Sequence, residues 1–264
     1  MGASDFDATL DADLERRFGG LRRLYGPAGY AAVRAARIAV IGLGGVGSWA
    51  VEALARSGVA RLVLVDLDHV AESNINRQVQ ALGRTLGMAK AQALQQRIAD
   101  IHPGCEVLCV EDFAGPDNWP GLLPAPVDMV IDACDQSAAK LALAAWARQT
   151  GTPLVTVGAA GGKQQAQAVE LADLAEVTHD PLLASLRQRL RKAGAPRSGR
   201  IGLRCVFSRE AVAAPQGGSD GCATDGTLNC AGYGSAVTVT ATFGLVAAGE
   251  ALRLVMTATA ARPA

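Results

Sequence analysis

Arg77 and Lys90 lie just beyond a pair of acids, in the stretches Asp66-Leu-Asp68-His-Val-Ala-Glu-Ser73-Asn74-Ile-Asn76-Arg77-Gln78 and Gly87-Met-Ala-Lys90. Two cations with Ser73, Asn74 and Asn76 between or beside them can neutralise a triphosphate tail, orient it and stabilise a departing pyrophosphate. Upstream, Gly42-Leu-Gly44-Gly45-Val-Gly47 has the G-x-G-x-x-G spacing that lets backbone approach a phosphate resting on a helix N-terminus. Asp66 follows at the distance expected of an acceptor for ribose hydroxyls. Asp135 comes shortly after an apolar run ending at Asp132, where an open α/β sheet binds its ligand, and a carboxylate there suits magnesium.

The glycine fingerprint alone leaves NAD, FAD, S-adenosylmethionine and ATP open. A dinucleotide dehydrogenase gives no reason for Asn74, Arg77 and Lys90 beyond its ribose acid, whereas a nucleoside triphosphate does. The expected chemistry is therefore adenylation by ATP with Mg2+, carried by Arg77, Lys90 and Asp135. The plainer readings are a surface ion pair for Arg77, a solvated helix face for Lys90 and a helix N-cap for Asp135.

These residues need elements to hold them. The run 37–42 reads as a strand ending in a glycine turn, 46–57 as the helix after it and 61–66 as the next strand, closing a right-handed βαβ unit. Further strands are expected at 106–110, 127–132 and 153–157, with helices at 90–100 and 138–149. This predicts an α/β, Rossmann-like, doubly wound and mostly parallel sheet with helices on both faces. Residues 17–36 carry helical periodicity, and 1–16 read as a loose arm. From Gly158 the pattern changes to a strand at 167–171, a basic helix at 181–192 and loops at 193–202 and 214–226 that read as mobile. One domain over 1–264 results, with a nucleotide-binding core at 17–157 and a substrate-binding and dimerisation region at 158–264.

The 264 residues are half apolar, enough for a sizeable core without disulfides or metal. Net charge is zero, so a polyanion would need a local patch, and Arg187, Arg189, Arg191, Lys192, Arg197, Arg200 and Arg204 supply one able to contact RNA phosphates. None of the six cysteines forms a C-x-x-C pair, so a structural zinc site is not expected and the thiols read as reduced and cytoplasmic. Glu250 and Arg253 interrupt the apolar stretch 231–256, which reads as a helix buried at a subunit contact rather than as a membrane span.

The glycine fingerprint, the D-x-D pair Asp66 and Asp68, the segment Ser73-Asn74-Ile-Asn76-Arg77-Gln78, Lys90 and the pair Asp132 and Asp135 together resemble the adenylation site of the E1-like (ThiF/MoeB/HesA) family. Runs across nearly the whole chain, among them 17–26, 44–58, 160–162, 180–187 and 205–210, are most similar to the branch that dehydrates threonylcarbamoyladenosine. That resemblance implies adenylation and cyclisation of this group in ANN-decoding tRNA, with ATP and Mg2+ and no DNA partner. It also implies a homodimer in which Arg23, or Arg22, reaches the neighbour's ATP. Other readings are a sulfur-carrier or ubiquitin-like protein adenylating enzyme and an NAD-dependent oxidoreductase. A monovalent cation near the carbonyl-rich loops stays open, as does a cysteine desulfurase or sulfur-acceptor partner working through Cys222 or Cys230. Lys163-Gln-Gln-Ala-Gln167 and Gln136 depart from the branch pattern.

Overall fold

The computed structural model describes residues 3–213 and 233–260. Strands β1 (Arg37–Ile41), β2 (Arg61–Val65), β3 (Glu106–Val110), β4 (Met129–Asp132), β5 (Leu154–Val157), β6 (Val169–Asp173) and β7 (Arg204–Ser208) form one sheet in the order β3-β2-β1-β4-β5-β7-β6. All neighbours run parallel except β6, which pairs antiparallel with β7. The strands read as continuous apolar runs because both faces are covered. Ile38, Val40, Leu62, Leu64, Met129 and Ile131 point into one core, while Ala39, Ile41, Val63, Val65 and Val130 point into the other.

Helices α2 (Gly47–Arg56), α3 (Lys90–Ile101) and α6 (Val237–Ala260) cover the first face, and α4 (Ser137–Thr150) and α5 (Pro181–Lys192) the second. The order of strands reverses between β1 and β4, so their C-terminal ends open the crevice in which such sheets take ligands.

Three expectations need correction. The start is no loose arm: helix α1 runs Ala3–Ala35, bent at Gly26, whose φ of 69° precedes Pro27. Arg17 of this helix pairs with Asp13 at 2.7 Å and donates to the carbonyls of Asp100 and Ile101 at the end of α3, so the N-terminal helix is anchored. The segment 193–202 is also tied down, with Ala195 and Ile201 buried and the Asp173 carboxylate accepting from the amides of Ile201 and Gly202. Lastly, the apolar C-terminal helix is covered by its own chain. Its length and composition would suit a membrane span, yet Val239, Phe243, Ala247, Ala248 and Ala251 lie in the first core. Gly244 lets α6 close on α2, since a Cβ there would sit 2.4 Å from the Val46 carbonyl oxygen. The interrupting Glu250 is buried and held by Arg204 at 2.6 Å and Arg253 at 2.7 Å. The segment 214–226 lies outside the described residues.

Candidate active site

The crevice is an open cleft floored by the glycine loop. Gly42 (φ 86°) turns the chain after β1, and a Cβ there would meet the backbone of Ala133 and Cys134 at 2.9 Å. A Cβ at Gly47 would sit 1.8 Å from the Gly42 carbonyl oxygen, so Gly47 keeps the turn closed from outside the lining. Gly44 faces open space and Gly45 packs on Arg77 and Thr240, leaving the start of α2 to receive an anion.

Asp66 is buried. Its Oδ2 accepts from the Leu43 amide at 2.6 Å and its Oδ1 from the Asp68 amide at 2.9 Å, so it fixes the glycine loop as well as facing the cleft. Burial pushes its carboxyl above the usual range, against the nearby Lys90 ammonium. Lys90, also buried, is no solvated face: its Nζ lies 2.6 Å from Asp68 and 3.7 Å from Asp66. Arg77 donates from Nη1 to the Ser73 carbonyl at 2.7 Å and to Asn76 Oδ1 at 3.0 Å.

Across the cleft, Asp135 has no hydrogen bond or ion pair among the described residues, and the N-cap of α4 is Gln136 without a side-chain cap. The N-cap reading of Asp135 therefore fails. The turn that carries it is set from below. Asp132 accepts from Lys140 Nζ at 3.0 Å and Thr156 Oγ1 at 2.5 Å, all three fully buried, while its Oδ1 takes the Cys134 thiol at 2.9 Å. Burial alone would lower the Lys140 pKa, but the Asp132 carboxylate outweighs it and holds the pKa up.

The cleft thus collects Gly42, Gly44, Gly45, Asp66, Asp68, Arg77, Lys90 and Asp135. It does not collect Ser73, Asn74, Asn76 or Arg23. Asn74 turns inward and takes the Ala71 amide at 3.1 Å, while Asn76 ties the Arg77 segment to the Ser235 carbonyl at 2.9 Å. Arg23 is exposed on α1, and Arg22 pairs with Glu15 at 2.9 Å. Sequence reasoning missed Asp112 and Phe113, although they follow the C-terminal end of β3 as Asp135 follows β4. It also missed the wall Gly158–Gly161, held to the start of α5 by Asp180, which accepts from the amides of Ala159 at 2.8 Å and Leu183 at 2.9 Å.

Magnesium can be tested against the donors present. The described residues contain no cluster of three His, Cys, Asp or Glu side chains. One carboxylate suits an ion that keeps water and takes phosphate oxygens from its nucleotide.

The sequence profile described as the ThiF family matches residues 17–263. The chain belongs to the ThiF family. Among ThiF-family relatives, the tRNA threonylcarbamoyladenosine dehydratase of Escherichia coli (strain K12) is 44% identical over 91% of this chain and 94% of its own length. That of Haemophilus influenzae is 42% identical over 88% and 90%. The crystal structure of the E. coli enzyme in complex with ATP superposes with a TM-score of 0.85 at 41% identity, covering 94% of this chain and 97% of that one. The expected α/β architecture and the family resemblance are borne out.

The basic cluster is partly spent within the fold. Arg187 donates to the carbonyls of Leu174 and Val177, Arg189 to that of Ser137, and Arg204 pairs with Glu250. A groove along α5 keeps Arg191, Lys192 and Arg197. Burial pushes the Cys105 thiol up to about 12 and that of Cys109 to about 11, and holds those of Cys134 and Cys205 well above the usual thiol value. The described cysteines are thus poor nucleophiles at neutral pH. Cys222 and Cys230 lie outside the described residues.

Proposed function

We propose that this chain is an ATP-dependent tRNA threonylcarbamoyladenosine dehydratase that works in the cytoplasm on ANN-decoding tRNAs. The observation that supports it most is the cleft itself, lined by Arg77, Lys90, Asp135 and the glycine loop, in a chain that matches a named dehydratase over 91% of its length. Residues 17–157 bind the nucleotide and 158–264 the substrate and a second copy.

The glycine loop and the start of α2 receive the phosphates, and Asp66 takes the ribose. A carboxylate oxygen of the modified adenosine attacks the α-phosphorus of ATP, the bond to the β-phosphate breaks and pyrophosphate leaves. Arg77 and Lys90 neutralise charge that grows on the leaving oxygens. A nitrogen of the same modification then attacks the activated carbonyl and loses its proton. A five-membered ring closes and AMP leaves with its oxygen, so the net change on tRNA is loss of water. Asp135 would hold magnesium, which would supply positive charge against the phosphates.

A homodimer is part of this reading, with the exposed Arg23 reaching the neighbouring cleft. The decisive experiment is mass spectrometry of tRNA nucleosides after incubation with ATP and magnesium, run on protein sorted by sedimentation. The cyclic nucleoside should appear with the dimer. Unchanged nucleosides would end the dehydratase reading, and full activity in a monomer fraction would remove the role of Arg23.

A further inference from the structure

Lys163 is the one long cation in the described residues whose ammonium is spent wholly on backbone carbonyls while its side chain is buried, at 2% exposure. Its Nζ donates to the carbonyls of His179 at 3.0 Å, of Ser208 at 3.5 Å and of Glu210. These carbonyls come from two segments: the approach to α5, and the end of β7 with the turn that follows it. The ring is built deliberately. His179 is the one non-glycine residue among those described with positive φ (56°), a conformation that is costly for a side-chain-bearing residue. The Glu210 carboxylate binds back onto the amides of Gln164 and Gln165 at 2.8–3.0 Å, clasping the residues that follow the lysine.

The location matters for chemistry. Gly161, two residues before Lys163, lines the cleft, and so does Leu182, three residues after His179. Asp180 joins the two walls through the Ala159 and Leu183 amides, and Gly162 bonds the Gly234 carbonyl at 2.9 Å beside the lining residue Ser235. A converging set of carbonyls is also the site that a dehydrated alkali cation takes, each oxygen replacing a water. A lysine ammonium has three donors and the same single charge.

We infer that Lys163 is a tethered cation that fills an alkali-type carbonyl ring and so positions the substrate wall of the cleft. It is a positioning residue, since it touches neither the glycine loop nor the cations that meet ATP. Without its ammonium three inward carbonyls lose their donor, and the wall at 158–161 shifts relative to α5.

The test compares the full-length protein with Lys163→Met and Lys163→Gln in potassium, sodium and tetramethylammonium chloride at equal ionic strength. The wild type measured in each salt sets the baseline for that salt. Both variants should melt several degrees lower in tetramethylammonium and recover in potassium or sodium, because a small ion can enter the vacated ring. Pyrophosphate release with modified tRNA should fall on the order of a hundredfold in tetramethylammonium and return with the alkali ion, while binding of a fluorescent ATP analogue holds. Variants as stable as wild type in tetramethylammonium, or gaining no more from potassium than wild type gains, would overturn the inference. Failure of both to fold in potassium would overturn it equally, since no mobile ion could then replace the ammonium. The rate measurement rests on the proposed function and the melting measurement does not, so the two ideas fail separately.

Discussion

Lys90 sits between Asp68 and Asp66, and Asp135 faces the same cleft without a hydrogen-bond or ion-pair partner among the described residues. Their variants should therefore part company. Asp135→Asn loses one negative group and no internal contact, so fold and ATP binding persist while substrate-dependent pyrophosphate release drops by about a hundredfold or more. Lys90→Ala strips the cation from two carboxylates that then face the phosphates, so ATP binding weakens along with release, and Arg77→Ala behaves likewise. Pyrophosphate release beside ATP binding and a melt measures this. Near-normal release by folded Asp135→Asn removes it from the metal site. At this scale the sequence was legible where charge is specific: Asp66, Arg77, Lys90 and Asp135 all line the cleft. It misled at Asn74, because a short polar side chain satisfies a local turn as readily as a ligand, and only the fold shows which.

Helices α2 and α6 touch where neither has room. A Cβ at Gly244 would meet the Val46 carbonyl at 2.4 Å, the Trp49 Cβ at 2.8 Å and the Ala50 amide at 2.9 Å, all but one of them backbone. Gly244→Ala should thus force α6 outward, destabilise the protein by roughly 1–3 kcal/mol and loosen the start of α2, which is proposed to receive phosphate. A lowered melting temperature with weaker ATP binding is expected; an unchanged melt would show that the contact is not close. The buried strands β1, β2, β4 and β5 announced themselves because parallel strands covered on both faces are uninterrupted apolar runs. Strand β7 did not. Its first residue, Arg204, reads as part of a basic cluster until its pairing with Glu250 is seen, and its place between β5 and β6 depends on pairing that no local pattern encodes.

On the scale of the whole molecule, the cleft and the basic groove meet at the first turn of α5, where Leu182 lines one and Pro181 the other. A tRNA could therefore lay its backbone along Arg191, Lys192 and Arg197 while its modified base enters the cleft. Neutralising these three should weaken tRNA binding and flatten its salt dependence by about one logarithmic unit per lost phosphate contact, leaving ATP binding intact. Titrations at several salt concentrations measure both, and an unchanged slope assigns the groove to ordinary solvent. Neutralising Arg187 instead should chiefly lower stability, because its guanidinium holds two carbonyls.

The packing of α6 also fixes an order of events during synthesis. The glycine loop, β1 and α2 leave the ribosome before the other six strands, yet the helix that covers α2 and contributes Thr240 to the cleft follows all of them. Until α6 has emerged, the start of α2 has a bare apolar flank, which chaperones and proteases can read. A cleft whose glycine loop is made with the first strand is thus completed only after the seventh strand has been followed by α6.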